Sequence, residues 1–408
     1  MNDDTGRRIL YRDGAIADGR SDTLQLGMSI LVEGGRITWI RPTDGEEETG
    51  SAAGLEIVDA GGATIVPGMV DAHSHLTMPG GSHWIERGSD PPPVAVATAA
   101  RNAALLTSAG VRWARDVGAP VGRDPVDGRE RALSLGVRDR ARGRAGWPHI
   151  RAAGTWIGGP GALGELGVEV ADADALVAAA ERQLDDGADF VKLYLDGGDP
   201  TVCPWSVDEI ARVVAAIHAR GARVTAHSGR IDGARKGVSG GVDAIEHGFE
   251  LDNDIAAEMA RRGTFLVSTL AIFRSWASFG TTTAIERFAG AAGKASIAAR
   301  RERAEAGVAA AHRAGVRIAT GTDFGGGSTR ANQLAWEVES LVAAGLEPWE
   351  ALAAATWRGG ELLGEPDAGA LREGGPADFA LVHGDPLSDP AALWRVWRVA
   401  WATDPAAV

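Results

Sequence analysis

The chain has 408 residues, 45% hydrophobic and 24% charged, with a formal charge of -14, a globular composition without an apolar run near the roughly 20 residues that cross a bilayer. The acidic balance leaves no basic surplus for phosphates, which argues against DNA, RNA or anionic lipid and points to small-molecule chemistry. The single cysteine, Cys203, excludes an internal disulfide, and the polar start MNDDTGRR lacks the apolar core of a secretion signal, so a cytoplasmic location is expected.

Residues 9–65 read as short β segments (ILYRDGAIADG, SILVEGGRITWI, LEIVDAGGATIV) broken by Gly and Asp turns. GEEETGSAAG, at 45–54, reads as a solvated turn. From 68 to about 363, apolar strands alternate with Ala-rich helices, as βα repeats on a parallel sheet do. Eight strands fall near VDAHSH, VRWARDVG, HIRAAG, DFVKLYL, ARVTAHS, DAIEHG, TFLVSTL and VRIATGTD, separated by helices such as 172–186, 207–220 and 296–313. An α/β fold of the (β/α)8 TIM barrel type is therefore expected over 66–363. Cys203, in TVCPWS, reads as a buried thiol and not a nucleophile. The aromatic insert 271–294 could form a lid, and Trp84, Phe273 and Trp276 read as pocket walls or packing. GALREGGPADFALVHGDPL and WRVWRVAW return to β alternation, so residues 1–65 and 364–408 are expected to form one composite β-sandwich domain. Trp394, Trp397 and Trp401 also suit a helix face; they are expected to cover the barrel or a partner subunit, and a homo-oligomer is expected.

His73 and His75 lie two apart on a strand, so both side chains point the same way and can reach one metal. Alone the pair is weak: 9 His in 408 residues give roughly 0.2 such pairs by chance. Position adds weight. His227 closes the fifth strand, His247 the sixth and Asp323 the eighth, each at the C-terminal end where barrel sites are built. Singly, each residue reads as readily as a hydrogen-bonded strand end or a turn cap. Together they offer the N and O donors that divalent Zn, Mn, Co or Fe accept. Lys192, flanked by Phe190, Val191, Leu193 and Leu195, is costly to bury as a bare ammonium. It either pairs with Asp196 or Asp323 or is carbamylated.

The combination PGMVDAHSHL, FVKLYLDGG, VTAHS, DAIEHG, TGTDFG and GALREGGPADFALV resembles the amidohydrolase superfamily over almost the whole chain. It is most similar to the branch of Xaa-Pro dipeptidases and ochratoxin-type amidohydrolases, with imidazolonepropionase-like proteins also akin. The resemblance implies a carbamylated Lys192 bridging two divalent ions, zinc first, with manganese or cobalt as alternatives. One ion would be held by His73, His75 and Asp323, the other by His227 and His247. It also implies attack on an amide-type C–N bond by a bridging hydroxide, with Asp323 as catalytic general base and then acid. Two divalent ions, a carbamate, an aspartate and a hydroxide leave about +1, a charge suited to an anionic transition state.

Two positions depart from that branch. His227 is followed by Ser228 and Gly229 where relatives carry Tyr or His at the third residue, and the loop after the third strand reads Gly158, Gly159, Pro160, Gly161 instead of Gly-Gly-His-Gly. Both losses fall near the oxyanion or leaving group. His83, Arg230 and Arg274 follow barrel strands and are candidate substrate contacts in their place. An N-acyl amino acid, aryl amide, dipeptide-like or cyclic amide is the expected substrate. The alternatives are a one-metal imidazolonepropionase-like or deaminase-like hydrolase and a non-catalytic dihydropyrimidinase-like assembly protein.

Overall fold

Buried Val, Ile and Ala fill the strands of the central parallel sheets, the composition expected where both faces of a parallel sheet are covered. A computed structural model describes residues 7–45 and 54–400. Its parallel strands follow one another as Met69–Ser74, Val111–Asp116, His149–Ala152, Trp156–Gly158, Val191–Tyr194, Val224–Ser228, Ala244–His247, Phe265–Ser268 and Ile318–Thr320. The third barrel strand is broken in two. His149–Ala152 pairs with Val111–Asp116, whereas Trp156–Gly158 pairs with Val191–Tyr194. The first and eighth strands meet through a parallel bridge, Ser74 to Phe324, and through Asp323 N donating to His73 O at 2.8 Å and His75 N to Phe324 O at 3.0 Å. This is the α/β barrel, and it sets the C-terminal strand ends around one mouth.

Helix ends follow their capping chemistry. Asp172 caps Ala173–Asp185, and Ser206 with Glu209 forms a reciprocal capping box on Val207–Ala219. The segment after the seventh strand is helical, with Ala271–Thr282 and Glu286–Ala289. The following helix begins at Ala291, five residues before the start read from sequence, and runs to Arg313. No described helix is long and apolar enough to cross a membrane.

Strands from both ends share one seven-stranded sheet, ordered Val396–Ala400, Phe379–His383, Ala63–Pro67, Arg8–Ile16, Gln25–Glu33 and Arg36–Pro42, with Leu55–Asp59 beside Arg8–Ile16. Arg8–Ile16 pairs with Leu55–Asp59 along its start and with Ala63–Pro67 at its end. Register shifts on either side of Gly14 bend it between those partners. Tyr11, Ile30, Ile65 and Phe379 pack its core. Arg112 of the second barrel strand donates to Asp378 Oδ1 at 2.9 Å, and His149 meets Asp378 Oδ2 at 2.8 Å, a buried tie between sheet and barrel.

Residues 390–394 form a short 3-10 turn and Val396–Ala400 a strand, so Trp394 and Trp397 do not share a helix face. Trp394 Nε1 donates to Glu339 at 2.7 Å and Trp397 stacks on His383. Trp401 and all but the two ends of the segment 45–54, expected to be a solvated turn, lie outside the described residues. Cys203 is buried.

Candidate metal centre

His73 and His75 face one interior point because strand side chains alternate. Their Nε2 atoms lie 3.4 Å and 3.3 Å from the same oxygen, Asp323 Oδ1. The opposite ring nitrogens are committed elsewhere. His75 Nδ1 is 2.7 Å from the carbonyl of Gly118, which can only accept, so the proton sits on Nδ1 and Nε2 presents a lone pair inward. His73 Nδ1 lies 2.7 Å from Glu246 Oε2, a carboxylate oxygen that accepts, with the same consequence, and His247 Nδ1 lies 2.8 Å from the hydroxyl of Thr269, which occupies that ring nitrogen and turns Nε2 inward. His73, His247 and Asp323 bring one potential ligand atom each within 4.8 Å of one another. His227 stands on the far side, its ring centroid 4.6 Å from that of His247. Its Nε2 lies 3.2 Å from Asp196 Oδ2, which leaves Nδ1 as its available donor.

Lys192 enters between these groups from the fourth barrel strand. It is 1% exposed, and its Nζ has no hydrogen-bond partner among the described residues. Burial pushes its pKa down to about 8; Arg115 acts in the same direction, while Glu246 and Asp323 oppose it. An orphaned buried amine amid ligand-type side chains fits carbamylation, which would give the nitrogen a charge and geometry that a metal pair can use.

Burial alone would raise Asp323, but His73, His75 and His247 hold it well below the usual carboxylate range. Burial, with His73 and His227 adding to it, pushes His247 well below its ordinary value. His73 is likewise lowered by burial, then by Lys192. His75 goes the other way: burial would lower it, but the hydrogen bond and charge of Asp323 raise it. An ionised aspartate beside His73 and His247, both pushed toward the neutral form, suits metal ligation, which needs carboxylates ionised and imidazoles neutral.

The backbone is fitted to the site. Of three described non-glycine residues with positive φ, two are His247 at 70° and Asp323 at 52°, a conformation that costs an L-residue and clusters at functional sites. A Cβ at Gly326 would overlap the His75 imidazole, so the Gly run after Asp323 is what lets the chain pass behind the ligands.

Glu246, Arg115 and Tyr194 were not singled out by sequence reading. Glu246 accepts from Arg115 Nη1 at 2.7 Å and from Thr225 Oγ1 while meeting His73, so it forms a charged floor beneath the site. Burial would raise it, yet Arg115, Lys192 and His73 keep it well below its ordinary range. A Glu inside the apolar AIEHG strand, and an Arg inside VRWARDVG, were the available signals. Tyr194, two residues after Lys192 on the same strand face, stacks on His227 with centroids 3.9 Å apart and planes 9° apart.

The ligand-type residues open into a cavity of about 280 Å³ whose apolar wall includes Trp84, Trp156, Leu163, Leu166, Ile272 and Trp276. Arg230 lies in an adjoining cavity and pairs with Glu250 at 2.8 Å. His83 and Arg274 line neither. The His83 side chain is 67% exposed, and Arg274 is paired with Glu339. Gly229 donates its N–H to Asp196 Oδ2 at 3.0 Å, and Pro160 is exposed.

A parallel barrel with four imidazoles and a carboxylate gathered at its C-terminal mouth has the arrangement of barrel metal sites. The chain belongs to the amidohydrolase family, whose model matches residues 64–400. It is 32% identical over 359 residues to an uncharacterised protein of Mycobacterium tuberculosis, covering 87% of this chain and 88% of that one. It is 29% identical over 255 residues to ochratoxinase of Aspergillus niger, covering 59% of this chain and 51% of that one. Imidazolonepropionase of Anaeromyxobacter dehalogenans is 26% identical, covering 87% and 84%. A solved Xaa-Pro dipeptidase superposes with a TM-score of 0.82 at 24% identity, covering 97% of this chain and 99% of that one, a likeness of fold.

Proposed function

We propose that this protein is a metal-dependent hydrolase that cleaves an amide-type C–N bond other than an ordinary peptide bond, in an N-acyl amino acid, aryl amide, dipeptide-like or cyclic amide substrate. The reading is carried by one observation: two histidine Nε2 atoms converge on Asp323 Oδ1 beside the buried, partnerless Nζ of Lys192. His73, His75 and Asp323 would hold one divalent ion, His227 and His247 a second, with carbamylated Lys192 between them; zinc suits these donors first. Bound there, the ions supply Lewis acidity and lower the pKa of water.

The chain's own groups do the rest. Asp323, held ionised, accepts the proton of the attacking water and returns it to the departing amine. Tyr194, whose side chain lines both cavities, donates its hydroxyl to the carbonyl oxygen in place of the side chain missing at Gly229. Trp84, Trp156 and Trp276 exclude water and seat an apolar group. A reducing cytoplasm and a homo-oligomer complete the proposal, the first because the chain carries one cysteine.

The test is reconstitution of metal-free protein with zinc, manganese or cobalt in bicarbonate, followed by an amide panel and metal analysis. Hydrolysis with two ions per chain supports the proposal; an inert protein holding two ions overturns it. A second reading, a one-metal imidazolonepropionase-like or deaminase-like enzyme, is favoured by the imidazolonepropionase similarity and predicts activity at one ion per chain.

A further inference from the structure

We propose that the arm of the cavity beyond His227 is an anion subsite built on Arg300, and that the amide substrate carries a carboxylate seated there; this rests on the hydrolase reading above. The arm is a second cavity of about 230 Å³ that shares Tyr194, His227 and Phe249 with the metal cavity. Three guanidiniums line it, those of Arg230, Arg300 and Arg303, against two carboxylates, Asp196 and Glu250.

Both carboxylates are already engaged. Asp196 accepts from Gly229 N and meets His227 Nε2 and Ser228 Oγ. Glu250 accepts from Arg230 at 2.8 Å, with Arg303 at 3.9 Å. Arg300, half-buried, is left without an ion-pair partner among the described residues. Its guanidinium lies over the Trp276 ring at 4.9 Å, so its face is held by a wall of the metal cavity while its N–H edge is free to bind. Burial depresses its pKa, with Arg230 and Arg303 acting in the same direction and Glu250 opposing them, so a further anion here would be favourable.

One positive charge is left over, which matches one carboxylate better than a dianionic phosphate. The guanidinium edge also offers the paired donors that a planar carboxylate accepts. Across the metal ligands, the wall of Trp84, Trp156, Ile272 and Leu166 is apolar. A substrate with an apolar group at one end of the scissile amide and a carboxylate at the other satisfies both arms. This favours N-acyl amino acids and dipeptide-like amides over neutral aryl or cyclic amides.

The experiment compares metal-loaded wild type with Arg300→Gln and Arg300→Lys on N-benzoyl-L-leucine, N-phenylsuccinamate and their carboxamide counterparts. Wild type is expected to favour a carboxylate substrate over its neutral counterpart by on the order of 10- to 100-fold in kcat/KM. Arg300→Gln should lose most of that ratio through KM, and Arg300→Lys should recover part of it. Equal rates on carboxylate and carboxamide, or an unchanged ratio in Arg300→Gln, would overturn the subsite while leaving the hydrolase reading intact. Should no amide be cleaved, the hydrolase reading fails, and calorimetric binding of N-benzylglycine decides the subsite separately. Binding weakened roughly tenfold or more by Arg300→Gln supports it, and equal binding refutes it.

Discussion

Replacing Lys192 with Met removes a buried ammonium while keeping a side chain of similar volume. In the metal-free, uncarbamylated protein, Nζ has no hydrogen-bond partner among the described residues and its pKa falls from 10.5 to about 8, with burial the main cause. A displacement of that size disfavours the charged form by about 3 kcal/mol. The unfolded chain binds more protons between pH 8 and 10.5, so stability rises with pH across that window and the whole penalty is present below pH 8. Metal-free Lys192→Met should therefore be more stable than wild type at pH 7 by up to about 3 kcal/mol, or roughly 3–4 °C for a chain of this length. The advantage should shrink above pH 8. An ammonium held by productive pairing with Glu246 or Asp323 predicts the opposite sign, a loss of about 3–5 kcal/mol, because its removal strands buried carboxylates. Calorimetry of chelator-treated protein separates the two. After metal loading in bicarbonate, elemental analysis of the variant should find no more than one ion per chain. A metal-free variant less stable than wild type, or a variant that holds two ions and retains activity, would refute the assignment of Lys192 as a carbamate bridge.

Four further outcomes follow from contacts around the site. Glu246→Gln leaves Arg115 buried without its carboxylate and loosens His73, so metal affinity should fall roughly 10- to 100-fold by competition with a chromophoric chelator. Gly326→Ala drives a methyl group into the His75 imidazole, and a comparable loss of metal is expected with the fold retained by circular dichroism. Tyr194→Phe should lower kcat by on the order of 100-fold with metal content unchanged, since only the hydroxyl is removed. Glu337, raised from 4.5 to about 7 by burial against bonds from Ser268 Oγ and Ala271 N, makes the folded chain bind the extra proton between those values. Its contribution to stability is present below pH 4.5 and lost as pH rises through 7, so the unfolding free energy of Glu337→Gln from denaturant titration should gain about 3 kcal/mol on wild type across that interval.

The ligand-type residues were legible because strand-end position and donor chemistry are both written locally: VDAHSH, VTAHS, DAIEHG and TGTD each carry their residue at the C-terminal end of an apolar run. The shell around them was not. His83 and Arg274 also follow barrel strands, yet one is solvent-exposed and the other is paired with Glu339, and sequence position does not encode which way a loop or helix turns. The same blindness hid Arg300. It sits on Ala291–Arg313, and its relevance comes from a stacking partner, Trp276, on Ala271–Thr282. Glu246 could have been noticed as a charge in an apolar strand, but its meeting with His73, 173 positions away, exists only once the barrel has closed around it.

That separation sets how the site is held together. Positive φ at His247 and Asp323 costs of order 1–3 kcal/mol each, and such strain persists only where surrounding contacts over-determine it. Here the contacts come from beneath: Asp323 N is tied to His73 O, His247 Nδ1 to Thr269, and Glu246 gathers His73, Arg115 and Thr225 into one buried layer. His73, His247 and Asp323 are thus each tied to a partner distant in sequence, so none of the three can reorient without disturbing the barrel interior. The substrate arm lacks such a layer. Arg230, Arg300 and Arg303 hang from helix starts and helix faces over open space, held by Glu250 and one indole ring. A barrel built this way fixes the reaction class through its interior strands and leaves substrate choice to the helices that follow them, where substitution is cheap.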